Sequence, residues 1–307
     1  MSRDRPLAGI GLMLLFCLLA PLGDGMAKLL GDSLGLLVLM FARFATQAVL
    51  LTPICGLRAL RPPSGTRALI WLRSLLHLGG MGLMFAALRV LPLADALAIA
   101  FVMPFVALLL GWLLLGEAVG PHRLGACAVG FIGTLLVIQP NFTAQGAAAL
   151  LPLGVAVCFA GFMLATRRLS ARLGAMQMQA ISGWQATALV AAGLLFWPDP
   201  SLTALPATAT DWLLLTVMAV MGVAAQLAMT ASLTLAPAAT LAPMQYLEIP
   251  VGVVIGWALF RDLPDGLATL GIAITVAAGL YVIARERRLS RPPMPPAAGS
   301  AAPGRTR

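Results

Sequence analysis

Charge is scarce in this sequence. Only 10% of its 307 residues are Asp, Glu, Lys or Arg, with 20 basic against 11 acidic side chains, where soluble domains carry about 25%. That shortage excludes an ordinary water-facing enzyme, a nucleic-acid-binding domain and a disordered regulator. The net charge of +9 is scattered along the chain rather than gathered on a face that would grip a phosphate backbone, so no nucleic-acid partner is expected. Cysteine is thin as well. Cys17, Cys55, Cys127 and Cys158 show no C-x-x-C spacing, so neither a disulfide framework nor a metal site is expected. No H-E-x-x-H, P-loop or strand-borne G-x-G-x-x-G appears, which leaves no sign of an ATP-driven pump or a cofactor. Gly31-Asp32-Ser33-Leu34-Gly35 matches G-x-S-x-G, but it lies in a short loop between two apolar runs, without the strand and helix that a nucleophile elbow requires. Asn141-Phe142-Thr143 is a glycosylation sequon, meaningful only in a eukaryotic cell. No catalytic residue is expected.

What the sequence has is apolar length. Sixty per cent of the residues are apolar, and the mean hydropathy is +0.96. About 20 apolar residues cross a bilayer as a helix, and the runs between polar punctuation predict ten such spans, near 7–29, 35–56, 68–88, 92–115, 122–139, 147–166, 176–197, 211–233, 238–260 and 266–284. The class expected is an all-α polytopic membrane protein with the lipid bilayer as its surroundings. Lys and Arg bias in the loops sets the orientation. With the N-terminus in the cytoplasm, 15 of the 20 basic residues lie inside, only Lys28, Arg89 and Arg261 lie outside, and Arg43 and Arg73 fall within spans. Both termini are therefore expected in the cytoplasm, with 286–307 a basic, Pro-rich, disordered tail. The first span follows a basic segment but is too long for a signal peptide, lacks an A-x-A site and carries Asp24 and Lys28.

The chain also repeats. A shift of 145 residues places Pro92 on Pro237, Gly111 on Gly256, Trp112 on Trp257, Glu117 on Asp262 and Val137-Ile138 on Val282-Ile283, while Pro104 and Pro250 differ by one more. The units are 7–140 (spans 1–5) and 147–285 (spans 6–10). Five is odd, so the second copy enters the membrane from the opposite side, giving two inverted five-helix repeats. Secondary transporters are commonly built this way, with the substrate site near the midplane where the halves meet.

Ionisable groups at membrane depth cost about 2.5–3.5 kcal/mol each on insertion scales, which makes them candidates for function. At about 1.5 Å per helical residue, Glu248 and His77 fall some 15 Å from the cytoplasmic face and Arg43 some 12 Å from the outer one. Arg73 lies one turn from His77 on the same side. Asp24 sits a turn inside the outer end of span 1, and Asp95 lies at the outer mouth beside Arg89. The expected site is a polar central cavity lined by Glu248, His77, Arg73, Arg43 and Asp24, with Tyr246 and Gln245 offering an aromatic face and an amide. Pro250, and Pro104 in the first copy, are the expected helix breaks, and Pro250 removes a backbone hydrogen bond just past Glu248. Such a cavity suits a planar, heteroaromatic or zwitterionic solute. The plainer alternative is that Arg73 and Glu248 pair only to lock the bundle, while Lys28 and Arg89 snorkel to headgroups. Glu248 or His77 offers a place for a coupling proton. Gly252 and Gly256 form a G-x-x-x-G surface, usable for packing within the bundle or for a homodimer.

The repeat, the segment Ala87-Leu88-Arg89-Val90-Leu91-Pro92-Leu93-Ala94-Asp95-Ala96 and the run Leu114-Leu115-Gly116-Glu117 resemble the EamA family of the drug/metabolite transporter superfamily, over residues 7–285. Asp24 with Lys28, Arg43-Phe44, Leu72-Arg73, Gln245-Tyr246-Leu247-Glu248 and Asp262-Leu263-Pro264-Asp265 are similar to one branch of it, which includes S-adenosylmethionine and riboflavin uptake carriers. Gln245 stands where that branch often has Arg. The resemblance implies an inner-membrane secondary carrier that takes up a cofactor-like small molecule. Export of amino acids or other metabolites is the alternative within the family. An integral-membrane lipid-processing enzyme is the alternative from another class, disfavoured because the polar residues straddle the midplane instead of gathering at one interface.

Overall fold

A computed structural model describes residues 5–30, 33–90, 99–138, 146–197, 199–260 and 266–289. Among these residues there is no β-strand. In lipid each backbone N–H and C=O must be paired within its own segment, so long apolar runs fold as helices. The longer helices are α1 (Pro6–Leu30), α2 (Leu36–Cys55), α3 (Arg67–Val90), α4 (Met103–Leu115), α5 (Pro121–Ile138), α6 (Leu150–Leu169), α7 (Ala175–Phe196), α8 (Ala209–Leu235), α9 (Glu248–Phe260) and α10 (Gly266–Leu289). Among the described residues, six segments are long and apolar enough to cross a membrane: Pro6–Ala27, Leu36–Cys55, Leu150–Leu169, Ala175–Phe196, Ala209–Leu235 and Ala238–Ile255. Large apolar side chains face outward along them, as Val49, Leu195 and Leu213 do, while the interior takes many small residues, among them Ala48, Ala156 and Ala225. Without a hydrophobic drive between helices in lipid, small residues allow the close packing that holds such bundles together.

Local chemistry explains where helices begin and end. Thr208 and Asp211 form a capping box: the Thr208 hydroxyl accepts the Asp211 N–H at 3.1 Å and the Asp211 carboxylate accepts the Thr208 N–H at 3.0 Å. This starts α8 two residues before the predicted 211. Helix α10 runs on to Leu289, four residues past the predicted edge at 285. The Gly31–Gly35 motif ends in a close chain crossing. The Gly35 N–H donates to the Ala204 carbonyl at 2.9 Å, and a Cβ on Gly35 would lie 2.3 Å from the Leu202 backbone. Ser33 spends its hydroxyl on the Leu30 carbonyl.

The bundle pairs its helices across the middle of the chain. The main contacts are α1 with α8, α3 with α6, α2 with α7, α5 with α10, α4 with α6, α2 with α8 and α1 with α9. Apart from α2–α8, these contacts exchange into one another when α1–α5 are matched in order with α6–α10: α1–α8 becomes α6–α3, α4–α6 becomes α9–α1, and α2–α7 and α5–α10 map onto themselves. Both self-matched contacts are glycine-tight. A Cβ on Gly183 would meet the Ala48 backbone at 2.9 Å, and one on Gly133 would meet Thr275 Oγ1 at 2.4 Å.

Candidate functional site

Two interrupted helices converge at the centre. Residues Phe101 and Val102 form a turn between the helical residues 99–100 and α4. In the second half, the short helix Ala238–Leu241 runs into a 3₁₀ stretch, Ala242–Leu247, before α9 begins at Glu248. Pro104 lies in the first turn of α4, and Pro250 lies in the first turn of α9, where a missing N–H costs nothing. The breaks therefore sit just upstream of the two prolines, while the prolines start the half-helices. A 3₁₀ stretch inside a helical run marks strain or function, and each break is closed from elsewhere in the bundle. The Tyr246 hydroxyl donates to the Phe101 carbonyl at 3.1 Å, and the Cys17 thiol reaches the Met244 carbonyl at 3.5 Å. Gly130 makes room for Tyr246, since a Cβ there would lie 2.7 Å from its ring.

Beside the breaks lies a cavity of about 240 Å³, walled by α1, α2, α3, α6 and α8 and by Ala100, Phe101, Met103, Gln245 and Glu248. Its polar lining is Arg43, His77, Gln226, Gln245 and Glu248. Phe16, Phe101 and Phe159 contribute rings, and Met40, Met81, Met84, Met103, Met218 and Met229 contribute thioethers. Thus Arg43, His77, Gln245 and Glu248, all expected at the site, come together in one wall. His77 is set by rings: Phe44, Phe162 and Phe159 have centroids 5.3, 4.9 and 5.9 Å from its own. Arg43 is placed by the absence of a side chain opposite it, for a Cβ on Gly222 would stand 3.0 Å from its Nε. Arg43 and Glu248 are only half buried.

Arg73 goes elsewhere. It is fully buried, away from the cavity lining, and its fork spans three helices: Nε donates to Thr166 Oγ1 at 2.8 Å, one terminal nitrogen to Ser182 Oγ at 2.7 Å and the other to Thr230 Oγ1 at 3.0 Å. Its guanidinium lies 4.4 Å from the centre of the Phe162 ring. The expected placement in the cavity fails because one turn of α3 moves the side chain off the lining and into a cluster of hydroxyls on α6, α7 and α8. Those hydroxyls, not Glu248, are its partners. Gln47 and Gln179 extend the cluster, with Gln47 Nε2 donating to the Gln179 carbonyl at 2.7 Å and Gln179 Nε2 to Thr230 Oγ1 at 2.6 Å. Tyr246 is likewise buried behind the wall, as the clasp on Phe101 described above. Asp95 and the side chain of Asp24 lie outside the described residues.

One further polar contact joins the halves at the end where α4 finishes. Gly116 takes a left-handed conformation, φ 65°, which turns the chain back so that the Glu117 N–H bonds the Gly111 carbonyl at 3.1 Å. The Glu117 carboxylate then accepts the N–H groups of Ala238 and Ala239 at 3.3 and 3.0 Å, with Arg167 at 3.9 Å. Leu114-Leu115-Gly116-Glu117 is thus a turn whose glycine aims a carboxylate at the start of the opposite broken helix. Sequence reasoning used Glu117 as an anchor of the repeat and of the family resemblance, not as a contact between the halves. It missed Gln226 and the methionine lining, for which an uncharged amide in an apolar run is the only signal available.

A bundle of apolar helices around a cavity that holds both signs of charge, with broken helices beside it, is the build of a multi-pass membrane transporter. Comparison agrees: the EamA-like transporter family matches residues 7–139. The chain is 32% identical over 240 residues to a riboflavin transporter of Rhizobium johnstonii, covering 78% of this chain and 76% of that one. It is 30% identical over 208 residues to a pseudopaline exporter of Pseudomonas aeruginosa, covering 67% and 69%. It is 25% identical over 285 residues to an S-adenosylmethionine uptake transporter of Rickettsia prowazekii, covering 92% and 94%. A solved crystal structure shares the fold, with a TM-score of 0.75 at 19% identity over 93% of this chain and 98% of the other. The chain belongs to the EamA-like transporter family.

Proposed function

We propose that this transporter is a secondary carrier of the cytoplasmic (inner) membrane that takes up a cofactor- or vitamin-like solute of the riboflavin or S-adenosylmethionine kind by alternating access. In this reading ten spans form two inverted repeats, 7–140 and 147–285, with both termini cytoplasmic. The observation that carries it is the central cavity, where Arg43, His77, Gln245 and Glu248 meet beside two interrupted helices at matching places in the two halves. Exchange of helix contacts between the halves supports the repeat. The 15-to-3 bias of basic residues supports the orientation.

Arg43 and Glu248 meet the solute's charges, and His77 and Gln245 meet its polar edge. Asp24 and Asp95 add acid toward the outer mouth. Arg73 and Tyr246 act from behind the wall, one by tying α3 to α6, α7 and α8, the other by tying the two breaks together. Glu117's hold on Ala238 and Ala239 is the tie that rocking of the halves has to release. Glu248 or His77 offers a place for a coupling proton, against exchange or facilitated diffusion as the other modes.

Export is the second reading, favoured by the similarity to the pseudopaline exporter. The test is growth rescue of a riboflavin auxotroph and, in parallel, of a strain dependent on external S-adenosylmethionine, with labelled uptake measured with and without a protonophore. Uptake is expected in the wild type, with a large loss in Arg43→Gln and Glu248→Gln. No uptake of either solute by protein shown to be in the membrane, together with efflux from preloaded vesicles, overturns the uptake reading. Equal rates with and without the protonophore, in wild type and Glu248→Gln alike, remove the proton.

A further inference from the structure

Two carboxamides in the cavity wall are unfinished. Gln226 on α8 is 2% exposed and Gln245 is fully buried, and both border the cavity. Among the described residues, Gln226 Nε2 and Gln245 Oε1 nevertheless have no hydrogen-bond partner. Nearly all buried polar atoms in folded proteins are paired, because leaving one unpaired forfeits its hydration for nothing. Two other buried glutamines of the bundle serve as a comparison. Gln47 and Gln179, away from the cavity, donate to the Gln179 carbonyl and to Thr230 and the Gln226 carbonyl. The remaining orphaned side-chain atom among the described residues, Thr240 Oγ1, belongs to the short helix 238–241 and does not border the cavity. Gln245's orientation is set by its neighbour: Nε2 faces Met163 Sδ at 3.5 Å, a weak acceptor, which directs the carbonyl away from the sulfur.

We infer that these two amides read one edge of the solute, Gln226 donating to a ring carbonyl and Gln245 accepting a ring N–H. The solute class this defines carries a flat, uncharged heterocyclic ring with a carbonyl adjacent to an N–H, as in a lactam or imide, whatever charges its other groups present to Arg43 and Glu248. The rest of the wall fits the same shape. Phe16 and Phe159 with Met81, Met103, Met218 and Met229 present rings and polarisable thioethers, which pack well on an aromatic face. A lone donor or a lone acceptor would leave one amide unpaired, and a purely cationic or anionic group would satisfy only one of the two. The inference deepens the proposed function and rests on its placing the solute in this cavity.

The test uses the purified full chain in lipid nanodiscs and pairs of ring compounds differing only by a methyl on the ring nitrogen: riboflavin with 3-methylriboflavin, and uridine with 3-methyluridine, plus S-adenosylmethionine. Methylation removes the N–H that Gln245 would accept. It should weaken binding at least about fivefold, the low end for orphaning one buried group, and the gap should close in Gln245→Leu. Gln226→Leu should weaken the parent compounds without opening a methyl-dependent gap of its own. Since neither orphaned atom has a partner to lose, both leucine variants should melt no lower than the wild type. Equal binding of parent and methyl compounds, a gap that survives in Gln245→Leu, binding of S-adenosylmethionine alone, or a lowered melting temperature in the leucine variants overturns the inference. If uridine binds with the expected gap and riboflavin does not, the edge reading stands and the vitamin reading falls.

Discussion

Replacing Gly222 should separate folding from transport. It is buried in the middle of α8, and Arg43 crosses it so closely that a Cβ would lie 3.0 Å from Nε, 3.3 Å from Cζ and 3.4 Å from Cδ. Two terms act on stability. Alanine gains up to about 1 kcal/mol over glycine in a helix interior, while overpacking a fitted site costs about 1–3 kcal/mol. The atoms it would meet are the outer part of a long, half-buried side chain and not backbone, so Arg43 can swing aside and most of the packing cost becomes displacement. Gly222→Ala should therefore melt within about 1 kcal/mol of the wild type. Gly222→Val pushes a branched group into the guanidinium's path and moves it off the wall. If Arg43 makes a charged hydrogen bond to the solute, its loss is about 1.5–3 kcal/mol, or about 10- to 150-fold in affinity. Labelled-solute uptake into proteoliposomes and thermal melting of the same preparations measure both quantities. Gly82, with nothing within 4 Å of a built Cβ, is the control, and its alanine variant should transport normally. A Gly222→Val protein with wild-type affinity and wild-type melting would refute the placement of Arg43 at the solute.

Arg73 offers a second contrast. Its three hydroxyl partners each keep another bond, Thr166 to the Phe162 carbonyl, Ser182 with Ser74 and Thr230 with Gln179, so removing the guanidinium orphans none of them. Arg73→Met, of similar bulk, should melt close to the wild type, since exchanging a buried ion for a packed apolar chain is often neutral. Arg73→Ala should lose about 2–5 kcal/mol through the cavity it leaves. Equal losses in both variants would show that the charge itself holds the bundle. Glu117→Ala should lower stability by about 0.5–2 kcal/mol, the usual worth of a cap, and Glu117→Gln by less, because an amide oxygen still accepts one of the Ala238 and Ala239 N–H groups. Identical melting curves for the two would count against the cap. Tyr246→Phe removes the donor to the Phe101 carbonyl and should cost about 1–3 kcal/mol, read by thermal melting. An unchanged curve would mean that carbonyl has another partner.

Much of this protein is written in hydropathy alone. Apolar runs of bilayer length, with few charges, leave the chain no fold but a helical membrane bundle, because lipid supplies no hydrogen bonds to an open backbone. The cost of burying ionisable groups singles out Arg43, His77 and Glu248 in the sequence, and those three do share a cavity wall. Pro104 and Pro250 pointed to the interrupted segments, although the breaks fall just ahead of them. Tertiary structure decided what each side chain faces. Arg73 and His77 are four residues apart on one helix, yet one ends among hydroxyls and the other beside the cavity, since helical spacing gives a direction and not the neighbour found there. Tyr246, read as an aromatic face for solute, is the clasp of a broken helix. Gln226 and the methionines, unremarkable in a list of apolar runs, became wall residues only when helices distant in sequence packed together. Composition and periodicity are local and survive in the string. A cavity is the space between segments, and it exists only once they meet.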